Sequence, residues 1–118
     1  ALWPELDVLD EDVVVLKDRY SAFLPGASDL AEILEINGID TVVITGTLTN
    51  VCSESSARDA MMLNFKTIIV SDANAAPTDE EHIASLASLF QVFSDVYATD
   101  EVVSMLENNT QTDTVAAE

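Results

Sequence analysis

Cys52 is the one thiol among 118 residues, and its surroundings decide what it can do. The segment ITGTLTNVCSESSARDA, residues 44–60, passes from an apolar run through Gly46 and a polar turn into a stretch without Pro or Gly. That pattern predicts a helix starting at Thr49 or Asn50, with Cys52 in its first turn. N–H groups there have no intrahelical acceptor, and the positive end of the helix dipole favours a thiolate. The same N–H groups are the donors that an oxyanion at an attacked carbonyl requires. The chemistry suggested is nucleophilic attack by sulfur, with an inert, buried thiol as the alternative. A single cysteine leaves no intrachain disulfide and no cysteine-rich metal site.

Lys17 is the second candidate. It follows the apolar run VVVL (13–16), so it falls at the carboxyl end of an expected strand, where it could lie beside the thiol and keep it ionised. An ordinary surface lysine fits the spacing equally well. Lys17, Arg19, Arg58 and Lys66 are the only cations against 22 acidic side chains, which raises the chance that each is held by a specific partner. The net charge of −18 repels nucleic acid and anionic membranes, so neither is an expected partner. It reads as a solvated acidic surface, consistent with salt adaptation or engineered solubility. His82, in the charged start DEEH of a helix, reads as a surface residue. Arg58 and Asp59 read as structural ion-pair formers.

These residues need a frame to hold them. The runs 13–16 (VVVL), 42–45 (VVIT), 67–70 (TIIV) and 95–98 (DVYA) read as strands. Helices are expected from a Ser28 N-cap to a Gly38 stop, over 51–64, from Asp79 to Phe90 after Pro77-Thr78, and from Asp100 to Leu106. The order βαβαβαβα implies an α/β fold with a parallel sheet, right-handed crossovers and helices on both faces. Ligands gather beyond the carboxyl ends of such strands. Lys17, the turn from Gly46 to Asn50, and Asp72 all fall there. Residues 1–107 are expected to form one unit, followed by a disordered polar tail over 108–118. No apolar run is long enough to cross a membrane and no signal peptide is visible, so a cytoplasmic protein is expected.

GTLTNVCSESSARDAMMLNF closely resembles the nucleophile motif of the isochorismatase-like cysteine hydrolases, a family that includes nicotinamidases, N-carbamoylsarcosine amidases, ureidoacrylate amidohydrolases and biuret hydrolases. LKDRYSAF resembles the family's lysine motif, GIDTVVITG its central strand, and IIVSDANAAPTDEEH its next strand and loop. The resemblance implies a three-layer αβα, Rossmann-like sheet, incomplete here with about four strands. It makes Cys52 the nucleophile and Lys17 a member of an Asp-Lys-Cys triad. It places a non-proline cis peptide in the Thr47–Leu48 turn and an oxyanion hole at the N–H groups of Leu48 and Cys52. Tyr20, Phe23, Thr49 and Asn50 are the expected substrate contacts, with Ser21 beside them on the pocket wall; packing explains the aromatic equally well. The implied reaction cleaves a non-peptide C–N bond of a small amide or ureido compound through a thioester, with no cofactor and no assignable metal.

One departure stands out. The family's catalytic aspartate ends an earlier strand, and only the first sixteen residues precede Lys17 here, so that strand is expected to be absent. Asp18 would point to the opposite face, and Asp7, Asp10 and Asp12 lie at the wrong end of the run. The strand ending at Gly46 would then expose an apolar edge, covered by a second copy in a homo-oligomer or by a complementary N-terminal half. A catalytically inactive family fragment or assembly module is the alternative to the enzyme. A generic nucleotide-binding half-domain is disfavoured because no glycine-rich phosphate loop follows any strand.

Overall fold

In the computed structural model, residues 2–117 are described. Three parallel strands form one sheet in the order β1-β2-β3: β1 Thr41–Thr47, β2 Lys66–Ala75 and β3 Asp95–Tyr97. Helix α1 (Leu30–Ile36) leads into β1. A π-helical turn (Thr49–Ser53) and α2 (Glu54–Met62) join β1 to β2, α3 (Asp79–Val92) joins β2 to β3, and α4 (Thr99–Ala117) follows β3.

Local chemistry explains these boundaries. After α1, Gly38 adopts φ +68°, and the N–H groups of Gly38 and Ile39 donate to the carbonyls of Glu35 and Leu34. This paired closure of orphan carbonyls turns the chain sharply into β1. Asn64, at φ 72°, closes α2 the same way, with Phe65 N–H donating to Ala60 O at 3.0 Å. Thr78 caps α3, accepting from Glu81 N–H at 3.2 Å while its hydroxyl donates to the Glu81 carboxylate at 3.0 Å; the acidic first turn complements the helix dipole.

The core has two centres, linked by the small residues of α2. Ala60 packs with Phe23 and Phe65, flanked by Leu30, Leu34 and Val42; the two rings lie 5.6 Å apart. Ala57 packs with Ile69 and Leu89, flanked by Ile44, Leu86, Phe93 and Val96. Val42 and Ile44 share one face of β1 by strand alternation. Val70, on the face of β2 opposite Ile69, is also buried, and α4 packs against β2 with Val102 buried. Helices therefore cover β2 on both sides.

Two expectations change. Residues 13–16 are not a strand: Val13, Val14 and Leu16 are 69%, 63% and 85% exposed, and the segment pairs with nothing in the sheet. A β-branched run favours extended backbone, but a strand exists only where a neighbour accepts its ladder hydrogen bonds. The sheet thus has three strands rather than about four. In contrast, α4 runs past Leu106 through residues 108–117, which contain no Gly or Pro to stop it.

Near its carboxyl end the β1–β2 ladder is irregular. Pairing passes from Ile44–Ile69 to Gly46–Asn74, so β2 carries extra residues there, and Gly46 takes φ +126°, a backbone region that favours glycine. The Asn74 amide spans the gap, donating to Ile44 O at 3.0 Å and Val70 O at 2.7 Å. Among the described residues no helix is long and apolar enough to cross a membrane.

Candidate active site

Beyond the irregularity β1 ends at Thr47, and the chain enters the turn that carries Cys52. The Thr47–Leu48 peptide is cis, as the resemblance implies. The Leu48 carbonyl accepts from both Val51 N–H and Ser53 N–H at 3.2 Å, so the chain wraps tightly around Leu48. Cys52 is half-buried in this wide first turn, immediately before α2.

Lys17 reaches the same place from the N-terminal segment. Its Nζ lies 4.0 Å from Cys52 Sγ and donates to Arg19 O at 2.8 Å and Tyr20 O at 3.2 Å. Two of its three protons thus fasten the ammonium to its own loop, which leaves the third toward the sulfur. That loop is tied down in turn. Ala22 N–H donates to Ser56 Oγ of α2 at 3.0 Å, and Ser28 Oγ donates to Ala22 O at 2.6 Å just before α1. Lys17 and Cys52 sit where two clefts meet. One, of about 340 Å³, runs beneath β1 along Ala22, Phe23 and Thr45 to Thr47. The other, of about 590 Å³, is bounded by Asp18, Arg19 and Tyr20.

The remaining expected residues separate. Tyr20 is 69% exposed on the second cleft, and Phe23 borders the first with its ring in the core. Ser21 is buried, its Oγ accepting from Phe23 N–H at 3.1 Å. Thr49 is fully buried and its hydroxyl lies 2.8 Å from His82 Nδ1, so its side chain is held within the scaffold. Asn50 is half-buried, with Oδ1 enclosed and without a hydrogen-bond partner.

One residue departs from its sequence reading. His82 is half-buried and not on the surface, with Nε2 2.9 Å from Ser71 O in addition to the Thr49 contact. Arg58 forms a structural pair on the nucleophile helix, as its sequence reading has it, with Glu54 at 3.7 Å. It also donates to Ser88 Oγ at 2.9 Å and lies 4.3 Å over the Phe93 ring. Asp72, at the end of the sheet, accepts from Thr99 Oγ1 at 2.7 Å and Thr99 N–H at 2.8 Å. These bonds hold its carboxyl below the usual carboxylate range and cap α4. Among the described residues, no three His, Cys, Asp or Glu side chains converge to hold a metal ion.

Comparison with known families decides the context. The family model described as "Isochorismatase domain" matches residues 1–101. The chain belongs to the isochorismatase family. Its relatives include the uncharacterized isochorismatase family protein YwoC of Bacillus subtilis, 36% identical over 104 residues, covering 88% of this chain and 54% of that protein. The ureidoacrylate amidohydrolase RutB of Acinetobacter baylyi is 36% identical over 109 residues, covering 91% and 43%. The crystal structure of a cysteine hydrolase from Pseudomonas syringae pv. phaseolicola superposes with a TM-score of 0.86 at 33% identity, over 92% of this chain and 55% of that one. The chain therefore spans about half the length of the isochorismatase-family relatives it matches.

Proposed function

We propose that these residues form the nucleophile-bearing part of a thiol-dependent hydrolase that cleaves a non-peptide C–N bond in a small amide or ureido compound. The observation that carries the reading is the Lys17 ammonium 4.0 Å from the Cys52 sulfur where two clefts meet. Sulfur adds to the carbonyl carbon, and the oxygen takes the negative charge within reach of the Leu48 and Cys52 N–H groups. Collapse of this adduct breaks the C–N bond, and the leaving amine or ammonia takes up a proton. Water then attacks the thioester, yielding the acid and the free thiol. Lys17 supports the charged sulfur and the proton transfer, while Tyr20 and Phe23 border the space for substrate.

In this reading the proton donor is a carboxylate supplied by a complementary N-terminal half. The nearby carboxylates are engaged elsewhere: Asp18 pairs with Arg19 at 3.4 Å, and Asp72 caps α4. A similar protein named as a ureidoacrylate amidohydrolase supports the substrate class. With Asp18 and Asp72 both engaged, the second reading is a family scaffold that assembles without performing chemistry.

The test mixes this chain with the N-terminal half of a family amidohydrolase and follows ammonia release from small amides and ureido acids. Release that needs both parts, and disappears with Cys52→Ala, is the expected result. No release from any of them, with no thioester at Cys52 by mass spectrometry, would leave the assembly reading.

A further inference from the structure

His82 occupies the inward edge of α3, and its two ring nitrogens join two different elements. Nε2 faces the Ser71 carbonyl of β2 at 2.9 Å, and Nδ1 faces the Thr49 hydroxyl of the nucleophile turn at 2.8 Å. A carbonyl only accepts, so Nε2 carries the proton, and in the neutral ring Nδ1 accepts from the Thr49 hydroxyl. Thr49 has no exposed surface, so water cannot replace this bond if it is lost. One turn further along α3, Ser85 Oγ donates to Glu54 Oε1 at 2.8 Å and lies 3.2 Å from the Thr49 carbonyl. Helix α3 therefore grips Thr49 at its hydroxyl and beside its carbonyl, three positions before Cys52.

We infer that His82 is a positioning residue for the Cys52 thiol: it locks the π-helical turn to β2, and so fixes the sulfur at its distance from Lys17. The inference rests on the reading of Cys52 as a reactive thiol supported by Lys17. It assigns His82 no contact with substrate. Its action is geometric, because one donor and one acceptor on a rigid ring set the separation between Ser71 and Thr49. An apolar side chain supplies neither group, whereas glutamine supplies both.

The test asks whether Lys17 still acts on Cys52 once His82 is changed. The second-order rate of alkylation by iodoacetamide is measured for the full chain, with and without Lys17→Met, in the parent, His82→Ala, His82→Gln and Thr49→Val backgrounds; such a cycle isolates the coupling between the sites. In the parent, Lys17→Met slows alkylation about fivefold or more. In His82→Ala and Thr49→Val the same change is expected to slow it less than about twofold, with His82→Gln recovering most of the effect. Circular dichroism checks folding, and Thr49→Val, which keeps side-chain shape, serves should His82→Ala unfold. An undiminished Lys17 effect in either folded variant overturns the inference. Alkylation reports on the thiol and not on turnover. A chain that shows this coupling but hydrolyses nothing in the presence of a complementary half would refute the hydrolase reading while the role of His82 stands.

Discussion

Leu89→Ala should be among the most damaging single changes in this chain. Leu89 has no exposed surface and sits between Ala57 of α2 and Ile69 of β2, flanked by Ile44, Leu86, Phe93 and Val96. The substitution removes three carbons, worth about 2.4 kcal/mol at roughly 0.8 kcal/mol per buried methylene. A cavity term adds to this, because neighbours collapse only partly into the space. Here the neighbours include β-branched strand residues fixed by the ladder and an alanine too small to reach inward, so about 3 to 4 kcal/mol in total is expected, within the observed range for such truncations. That is a large part of the roughly 5 to 15 kcal/mol that holds a domain folded. Urea unfolding followed by circular dichroism should show the midpoint falling by about 1 to 4 M at an unchanged slope of about 1 to 3 kcal/mol/M. A loss below about 1 kcal/mol would mean that α3 is not anchored through Leu89. The account of how α3 reaches the nucleophile turn would then fail with it.

Two further outcomes follow from the site. Lys17→Met should slow alkylation of Cys52 about fivefold, since charges 4 Å apart attract by about 1 kcal/mol in water-like surroundings and more where water is partly excluded; Lys17→Arg should keep much of the parent rate, and equal rates for Met and Lys would remove Lys17 from the site. Asp72 has a folded carboxyl value held below its unfolded one of 3.8 by the Thr99 hydroxyl and amide, so its contribution is complete above that unfolded value and is lost as pH falls through the folded one. Asp72→Asn should flatten the acid limb of a melting-temperature profile below about pH 4 and speed exchange of the Thr99 amide, and an unchanged profile with an unchanged amide would show that Asp72 does not cap α4.

Much of this arrangement was legible in the residues. The runs at 42–45, 67–70 and 95–98 became strands because each is apolar, short and bounded by turn signals, and the stops at Gly38 and after Leu63 are local chemistry. VVVL at 13–16 carries the same signal and forms no strand, because pairing depends on a neighbour that composition does not reveal. His82 was hidden by its charged local sequence, although its spacing with Ser85, Leu86 and Leu89 places it on the inward side of α3. Thr49 has no exposed surface, which its polar neighbours in sequence do not reveal. Its burial depends on where α3 lands, a long-range fact. The 4.0 Å approach of Lys17 to Cys52 also depends on folding, through the loop bonds to Ser56 and Ser28.

The extra residues of β2 near its carboxyl end give the molecule a junction box. Up to Val70 the strand serves its neighbours in the sheet. Over the next few positions, Ser71 offers its carbonyl to His82 of α3, Asp72 binds the first residue of α4, and Asn74 reaches back to β1. One stretch of chain thus sets the placement of both later helices and of the turn holding the thiol. Changes in length at the opposite end of the sheet, around Gly38 or Asn64, would be absorbed by loops. A single residue inserted or deleted between Ser71 and Asn74 would misalign three attachments at once. This is where the architecture tolerates variation in length least.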